Sequence, residues 1–224
     1  MISTLKKYWV DCLAFVFIFA IVGVFFGKTI TQGLLPVPSD TLVGLYHPWR
    51  DLYASTNPRG VPFKNFLITD PVRQQIPWRK IAIDAWKAGV VPGWNPYAFS
   101  GASLLANIQS ASLYPLNVLF FVLSFPDAWT ILIALQPIFT MIGMYLYLRN
   151  VALSPAASLV GALGWGWSGF NVAWLTWGTM GHVALWLPLA LLAIDRSWPV
   201  LLVISLVCQL FAGHAQISLY VMAL

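Results

Sequence analysis

Hydrophobic residues run through this chain in long blocks, and one extended polar interval interrupts them. Tyr8 to Ile30 is apolar apart from Asp11, Lys28 and a few small or hydroxyl residues. A helix needs about 20 such residues to cross a bilayer, so this block predicts a first membrane span at 8–30. Its basic head, Leu5-Lys6-Lys7, with no clear small-x-small cleavage site, favours an uncleaved signal anchor over a signal peptide. Further blocks at Ala128–Leu148, Pro155–Trp177, Val183–Ile194 and Trp198–Ala212 predict later spans, the last two short. A final helix starts near Ala215. The apolar run is still open at Leu224, which predicts that the chain is the N-terminal part of a longer polytopic protein.

The interval at 31–127 has a different character. It holds Asp40, Asp51, Asp70 and Asp84 and the basic residues Arg50, Arg59, Lys64, Arg73, Arg79, Lys80 and Lys87, whereas after Ala128 only Arg149, Asp195 and Arg196 are charged. It is also rich in Trp, Tyr, Phe and Ile, which disordered segments lack. Asp70-Pro71 reads as a helix start, with Asp at the cap and Pro at the first helical position. From Ile76 to Ala88 the pattern places Ile81, Ala82, Ala85 and Trp86 on one side, and Arg79, Lys80, Asp84 and Lys87 on the other. This predicts an amphipathic helix lying on a membrane surface and ended by Gly89. Leu113–Phe125 is apolar but only about a dozen residues long, so it predicts an interfacial or re-entrant piece rather than a span.

Composition narrows the class. Of 224 residues 59% are hydrophobic and 8% charged, against roughly 25% charged in soluble domains. The net charge of +5 comes from basic residues scattered singly among apolar ones, which argues against nucleic acid as a partner. Cys12 and Cys208 both fall in apolar blocks and read as small buried hydrophobes, with no disulfide framework or metal-ligand spacing. Phosphate-binding glycine loops and Ser-His-Asp arrangements are absent.

Charge also orients the spans. With Lys6-Lys7 in the cytoplasm and Leu113–Phe125 not crossing, Arg149 and Asp195-Arg196 fall on the cytoplasmic side, as the positive-inside rule prefers. The long loop, the Trp174–His182 turn and the Gly213-His214-Ala215-Gln216 turn then face outward. The expected fold is an all-α polytopic membrane protein, one membrane domain over 1–224 with further spans across 128–224.

The outward face holds the candidate chemistry. Asp40, soon after the first span, can take a proton from a hydroxyl nucleophile or hold a divalent cation; it can equally cap the segment Thr41–Tyr46. Asp70 can act likewise or cap its helix, and Arg73 and Gln74 share its helix face. Arg50, Arg73, Arg79 and Lys80 suit a phosphate or anionic lipid headgroups. Asp84, between Lys80 and Lys87, and Asp51, beside Arg50, read as solvated surface charges. His182, His214 and Gln216 stand at the outward ends of spans, where polar residues are site candidates.

Several of these residues fall in a longer pattern. Asp70-x-x-x-Gln74-x-x-Pro77-Trp78-Arg79, Trp94-Asn95-Pro96-Tyr97-x-Phe99-x-Gly101 and Ala106-Asn107-x-Gln109-Ser110-Ala111-x-x-Tyr114-Pro115-Leu116-Asn117 resemble the YfhO-like family of bacterial membrane proteins. Ser168-Gly169-Phe170, Trp186-x-Pro188 and Gly213-His214-x-Gln216 fit the same pattern, so the resemblance runs in order along nearly the whole chain. That family is similar to the GT-C class of integral membrane glycosyltransferases. The resemblance implies a GT-C-like helical bundle with a long outward first loop bearing amphipathic juxtamembrane helices. It implies a polyprenyl-phosphate-linked sugar donor, transfer at the outer face of the cell membrane, and a key acid early in the first outer loop. Asp40 matches that position and Asp70 the family's recurring acid further on. Arg73, Gln74, Arg79, Asn95, Asn107, Gln109, His182, His214 and Gln216 would line the donor and acceptor sites. A lipid or polysaccharide transporter is a rival, although it would want ionisable residues within its spans. A non-catalytic membrane scaffold is a second.

Overall fold

The computed structural model describes residues 2–62 and 65–223, with side chains from Trp9 onward; Lys64, Leu224 and the side chains of Lys6 and Lys7 lie outside the described residues. Apart from one two-stranded ladder, the regular structure among these residues is helical, so the all-α expectation holds. In chain order, α1 (Ile2–Phe25) and α2 (Gly27–Gln32) precede the polar interval, which contains α3 (Asp40–Leu45), α4 (Trp49–Leu52), one turn of π-helix at Pro71–Gln75 and α5 (Ile76–Lys87). Strands β1 (Trp94–Asn95) and β2 (Ala102–Ser103) follow, then α6 (Leu119–Val122). The bundle continues with α7 (Phe125–Asn150), α8 (Pro155–Gly166), α9 (Gly169–Ala173), α10 (Met180–Ala184), α11 (Leu187–Asp195), α12 (Pro199–Phe211) and α13 (Ala215–Met222).

Helix α7 is the central strut. It packs against α1, α8 and α11, and α11 packs in turn on α12. Helix α1 buries Ala14, Ile18 and Val22 at four-residue spacing, and Tyr145 of α7 meets it edge-on at Phe15, ring centroids 5.5 Å apart. On the α8 side the approach is closer still. A Cβ added at Gly161 would lie 2.4 Å from Leu148 Cδ1, and one at Gly166 2.2 Å from Met141 Cγ, so glycine there sets the helix separation. Serines start two of the helices: Ser124 and Ser154 accept from the backbone N–H three residues on, each followed within two residues by proline.

Length separates these helices. Among the described residues only Phe125–Asn150 is long and apolar enough to cross a bilayer; the apolar helical stretches Trp9–Phe25, Met180–Asp195 and Pro199–Phe211 are shorter. The block at Pro155–Trp177, expected as one span, is not one helix. It stops at Gly166, and Ser168 accepts from Asn171 N to open α9, because a capping serine offers the backbone a new start inside an apolar run. Leu113–Phe125 holds a 3-10 turn at Pro115–Val118 and the single turn α6. Cys12, expected to be buried, is exposed on α1, whereas Cys208 is buried.

Helix α5 corrects a third expectation. Arg79 sits with Ala82 and Ile83 on the inward side, all three at 0–1% exposure, because three- and four-residue spacing stacks them on one face. The outward side keeps Lys80 and Asp84, paired at 2.5 Å. The apolar face of α5 is therefore covered by protein.

Candidate functional site

Polar contacts gather at both ends of α7, with Gln136 bonded to the Asn171 carbonyl between them. At its C-terminal end Asp11 of α1 accepts from Tyr145 Oη at 2.5 Å and from Arg149 Nε at 3.0 Å. Beside it Asn150 donates to Asp195 and accepts from Arg196. Every charged residue after Asp127 thus stands at this end.

The opposite end holds the loop. Arg79, fully buried, donates from Nη1 to Asn117 Oδ1 at 3.3 Å and from Nη2 to the Gly178 carbonyl at 3.1 Å, and its guanidinium lies 5.7 Å from the Trp129 ring centroid. Asn117 is held by donating to the Ala111 carbonyl at 2.7 Å. Among the described residues the Arg79 Nε has no hydrogen-bond partner and no carboxylate lies within ion-pair distance of the cation. Burial lowers its pKa to about 10, which leaves it charged at neutral pH.

A chain of neutral bonds runs alongside. His182 Nε2 lies 3.0 Å from the Leu132 carbonyl, which can only accept, so Nε2 carries the proton and Nδ1 is the acceptor. Tyr114 Oη donates to that Nδ1 at 3.1 Å and accepts from Trp186 Nε1 at 3.3 Å. Burial pushes the Tyr114 phenol upward, so it serves as a neutral hydroxyl. Gln75 donates to Gln109 Oε1 at 2.9 Å, and Trp86 to the Ser112 carbonyl at 3.0 Å, tying the loop to itself.

The two acids stand elsewhere on the loop. A cavity of about 250 Å³ is lined by Leu35, Val37 and Leu42 on the Asp40 side, by Val72 and Ile76 on the Asp70 side, and by Phe125, Pro126 and Trp129 at the start of α7. Trp129 thus lines the cavity and also lies under the Arg79 guanidinium. Asp40 opens α3, and its Oδ1 accepts from Thr41 N at 3.1 Å. Asp70 precedes the π-turn, half-buried, without the side-chain cap bond its place suggested, and no hydrogen bond or ion pair engages it among the described residues. Pro71 supplies no N–H, and the π-turn changes which amides the carboxylate could reach. Arg73 is exposed and lies over Tyr46 at 5.4 Å; Gln74 is half-buried.

The remaining candidates divide. Asn95 is buried and accepts from Tyr97 N; Asn107 accepts from Gln109 N and lines a second cavity of about 280 Å³ with Ser110, Ser112, Leu210 and Phe211. His214 Nδ1 caps α13 by accepting from Ile217 N at 3.3 Å, and burial lowers its pKa. Gln216 is exposed and donates to Tyr220 Oη. Gly213, beside His214, packs on Thr179 and Ala111, so that turn meets the loop near the second cavity. The structure brings Arg79 and His182 into one buried cluster and places Asp70, Arg73 and Gln74 along one turn. It sets Asn107 on a different cavity from the one lined by Leu42 and Val72, which follow the two acids in sequence. Among the described residues no group of three or more His, Cys, Asp or Glu gathers where a metal could bind. Tyr114, Asn117 and Gln75 had no assigned role; the signal available was the pair Tyr114 and Asn117, polar and three apart between apolar neighbours.

Compared with protein-family models, with curated proteins and with solved structures, the chain matches none.

Proposed function

We propose that this chain works as a polytopic integral membrane glycosyltransferase of the GT-C type. It moves a sugar from a polyprenyl-phosphate-linked donor to a cell-envelope acceptor at the outer face of the cell membrane. The observation that carries the reading is Asp70: a half-buried carboxylate that no hydrogen bond or ion pair engages among the described residues, one turn before Arg73 and Gln74 and two residues before Val72, which lines an apolar cavity. A fold gains nothing in stability from an unpaired, part-desolvated acid, whereas a general base needs one. Asp40, two residues before the cavity-lining Leu42, is the second candidate.

In this mechanism the acceptor hydroxyl gives its proton to the carboxylate as its oxygen attacks the anomeric carbon. The bond from that carbon to the phosphate oxygen breaks, the polyprenyl phosphate leaves as the anion, and configuration inverts. Arg73, exposed and one turn from Asp70, is the better phosphate contact, since both terminal nitrogens of Arg79 are engaged within the fold.

Sugar transfer from a radiolabelled polyprenyl-phosphate donor, in reconstituted vesicles, tests this. The Asp70→Asn variant is expected to lose roughly 10²-fold or more of the rate. Unchanged transfer in both Asp40→Asn and Asp70→Asn sinks the assignment. A non-catalytic membrane scaffold is favoured by a different observation: Arg79, Asn95, Asn107, His182 and His214 already spend polar atoms on internal bonds. Wild-type protein without any transfer would decide for it.

A further inference from the structure

The loop is two loops in its chemistry. Residues 40–87 carry all its charges except Asp127 at the far end, and residues 88–126 contain no Asp, Glu, Lys, Arg or His. The uncharged half is nevertheless not buried. Val90, Val91, Leu113, Phe121 and Val122 are exposed, and the hairpin between β1 and β2 carries the largest aromatic exposure, Tyr97 at 81% and Phe99 at 106%.

That hairpin is held firmly at its root. Trp94 pairs with Ser103 and Asn95 with Ala102, Leu104 N donates to the Gly93 carbonyl at 3.0 Å, and Asn95 and Leu104 are buried. The Asn95 side chain accepts from Tyr97 N at 3.0 Å, and Gly101 N donates to the Ala98 carbonyl at 2.7 Å. Gly101 has φ +106°, and a Cβ there would lie 2.3 Å from Trp94 Cζ2, so the indole lies across the glycine and braces the turn. Phe99, at φ 53°, holds a left-handed backbone that bulky residues avoid. The chain therefore accepts a backbone penalty to point a phenyl ring outward, away from every neighbour.

We propose that this hairpin, with the uncharged surface around it, seats in the headgroup layer of the bilayer that the bundle spans; the inference rests on the membrane reading above. Lipid is the occupant the chemistry favours. Trp and Tyr prefer the membrane interface, where a ring can sit in acyl chain and a polar tip in water. A surface with no charged group over 88–126 meets hydrocarbon without desolvating an ion, whereas the charged half 40–87 belongs in water. A sugar platform would need amide or carboxylate side chains beside the rings, and the nearest amide, Asn95, is turned into its own backbone.

The test uses the full chain with Cys12→Ser and Cys208→Ala, reconstituted in phosphatidylcholine vesicles. A fluorophore is attached at Phe99→Cys, Arg59→Cys or Val16→Cys, one at a time; Arg59 is exposed in the charged half and Val16 faces outward on α1. Quenching is read with nitroxide-labelled lipid and with aqueous iodide. The expected result is that position 99 is quenched by the lipid several-fold more than position 59 and is protected from iodide. Iodide quenching at 99 equal to that at 59, with position 16 still quenched by lipid, overturns the proposal and leaves the membrane reading intact. Position 16 untouched by lipid removes the membrane reading and the proposal with it. Shielding of 99 from both reagents, or relief of its iodide quenching by a soluble oligosaccharide, overturns the proposal in favour of a protein or sugar surface.

Discussion

The two ends of α7 solve the same problem by opposite means. At the C-terminal end the charge on Arg149 is met by Asp11, with side chains 26% and 20% exposed. At the N-terminal end the charge on Arg79 is buried completely and met only by two carbonyl oxygens and an indole face. Water screens the first and weakens it; the second lies in a medium where an unmet polar group is costly. The lesson is that the loop is fastened to the bundle by groups that have no alternative partner. The other end is held by an ion pair that water reaches in part, beside the buried Tyr145 hydroxyl.

Arg79→Ala should have the largest effect. It empties a buried volume and strands Asn117 Oδ1 and the Gly178 carbonyl, for an expected loss of about 3 kcal/mol of stability. Thermal unfolding in detergent micelles measures it, and a loss below about 1 kcal/mol would erase the contrast between the ends. Tyr114→Phe comes next at about 2 kcal/mol, because His182 Nδ1 and the Trp186 N–H lose their shared partner. Asp11→Asn should cost about 1 kcal/mol or less and show a smaller effect at high salt. If it exceeded Arg79→Ala, the roles assigned to the two ends would have to be exchanged.

The smallest effect expected is a pH dependence at the loop end. Burial lowers the His214 pKa, and its neutral Nδ1 caps α13. As pH falls through the ordinary histidine value of about 6.5, the unfolded chain takes up the proton first, so stability present above that value is lost on acidification. His214→Asn keeps a capping acceptor without a titration and should shallow the slope of melting temperature against pH between neutral and mildly acid buffer. An unchanged slope would remove His214 from the comparison.

Much of the bundle is legible in the residues. The apolar blocks mark α1, α7, α11 and α12, and Ser124 and Ser154 announce their helices. Ser168-Gly169-Phe170-Asn171 is also a cap signature, but hydropathy carries the eye across it because the residues on both sides stay apolar. Arg79 was misplaced for a different reason. Its spacing from Ala82 and Ile83 was readable, yet a charged residue is expected outside unless an acid is in view, and here none is. The network itself was not legible. Arg79 reaches Gly178, and Tyr114 reaches His182, across separations that only the folded topology sets. Asp70 was visible as a site candidate or a cap, and the missing cap bond follows from a π-turn that no residue pattern announces.

Because α7 touches both ends, it is also a ruler. Its 26 residues fix an axial span of about 39 Å at 1.5 Å per residue, with Trp129 under Arg79 near one mark and Tyr145 and Arg149 at Asp11 near the other. One residue inserted between them would turn the far half by about 100° and move it by about 1.5 Å. Either Trp129 keeps its arginine or Tyr145 keeps its aspartate, but a longer α7 cannot serve both. The length of that helix between the two marks should therefore tolerate substitution far better than insertion.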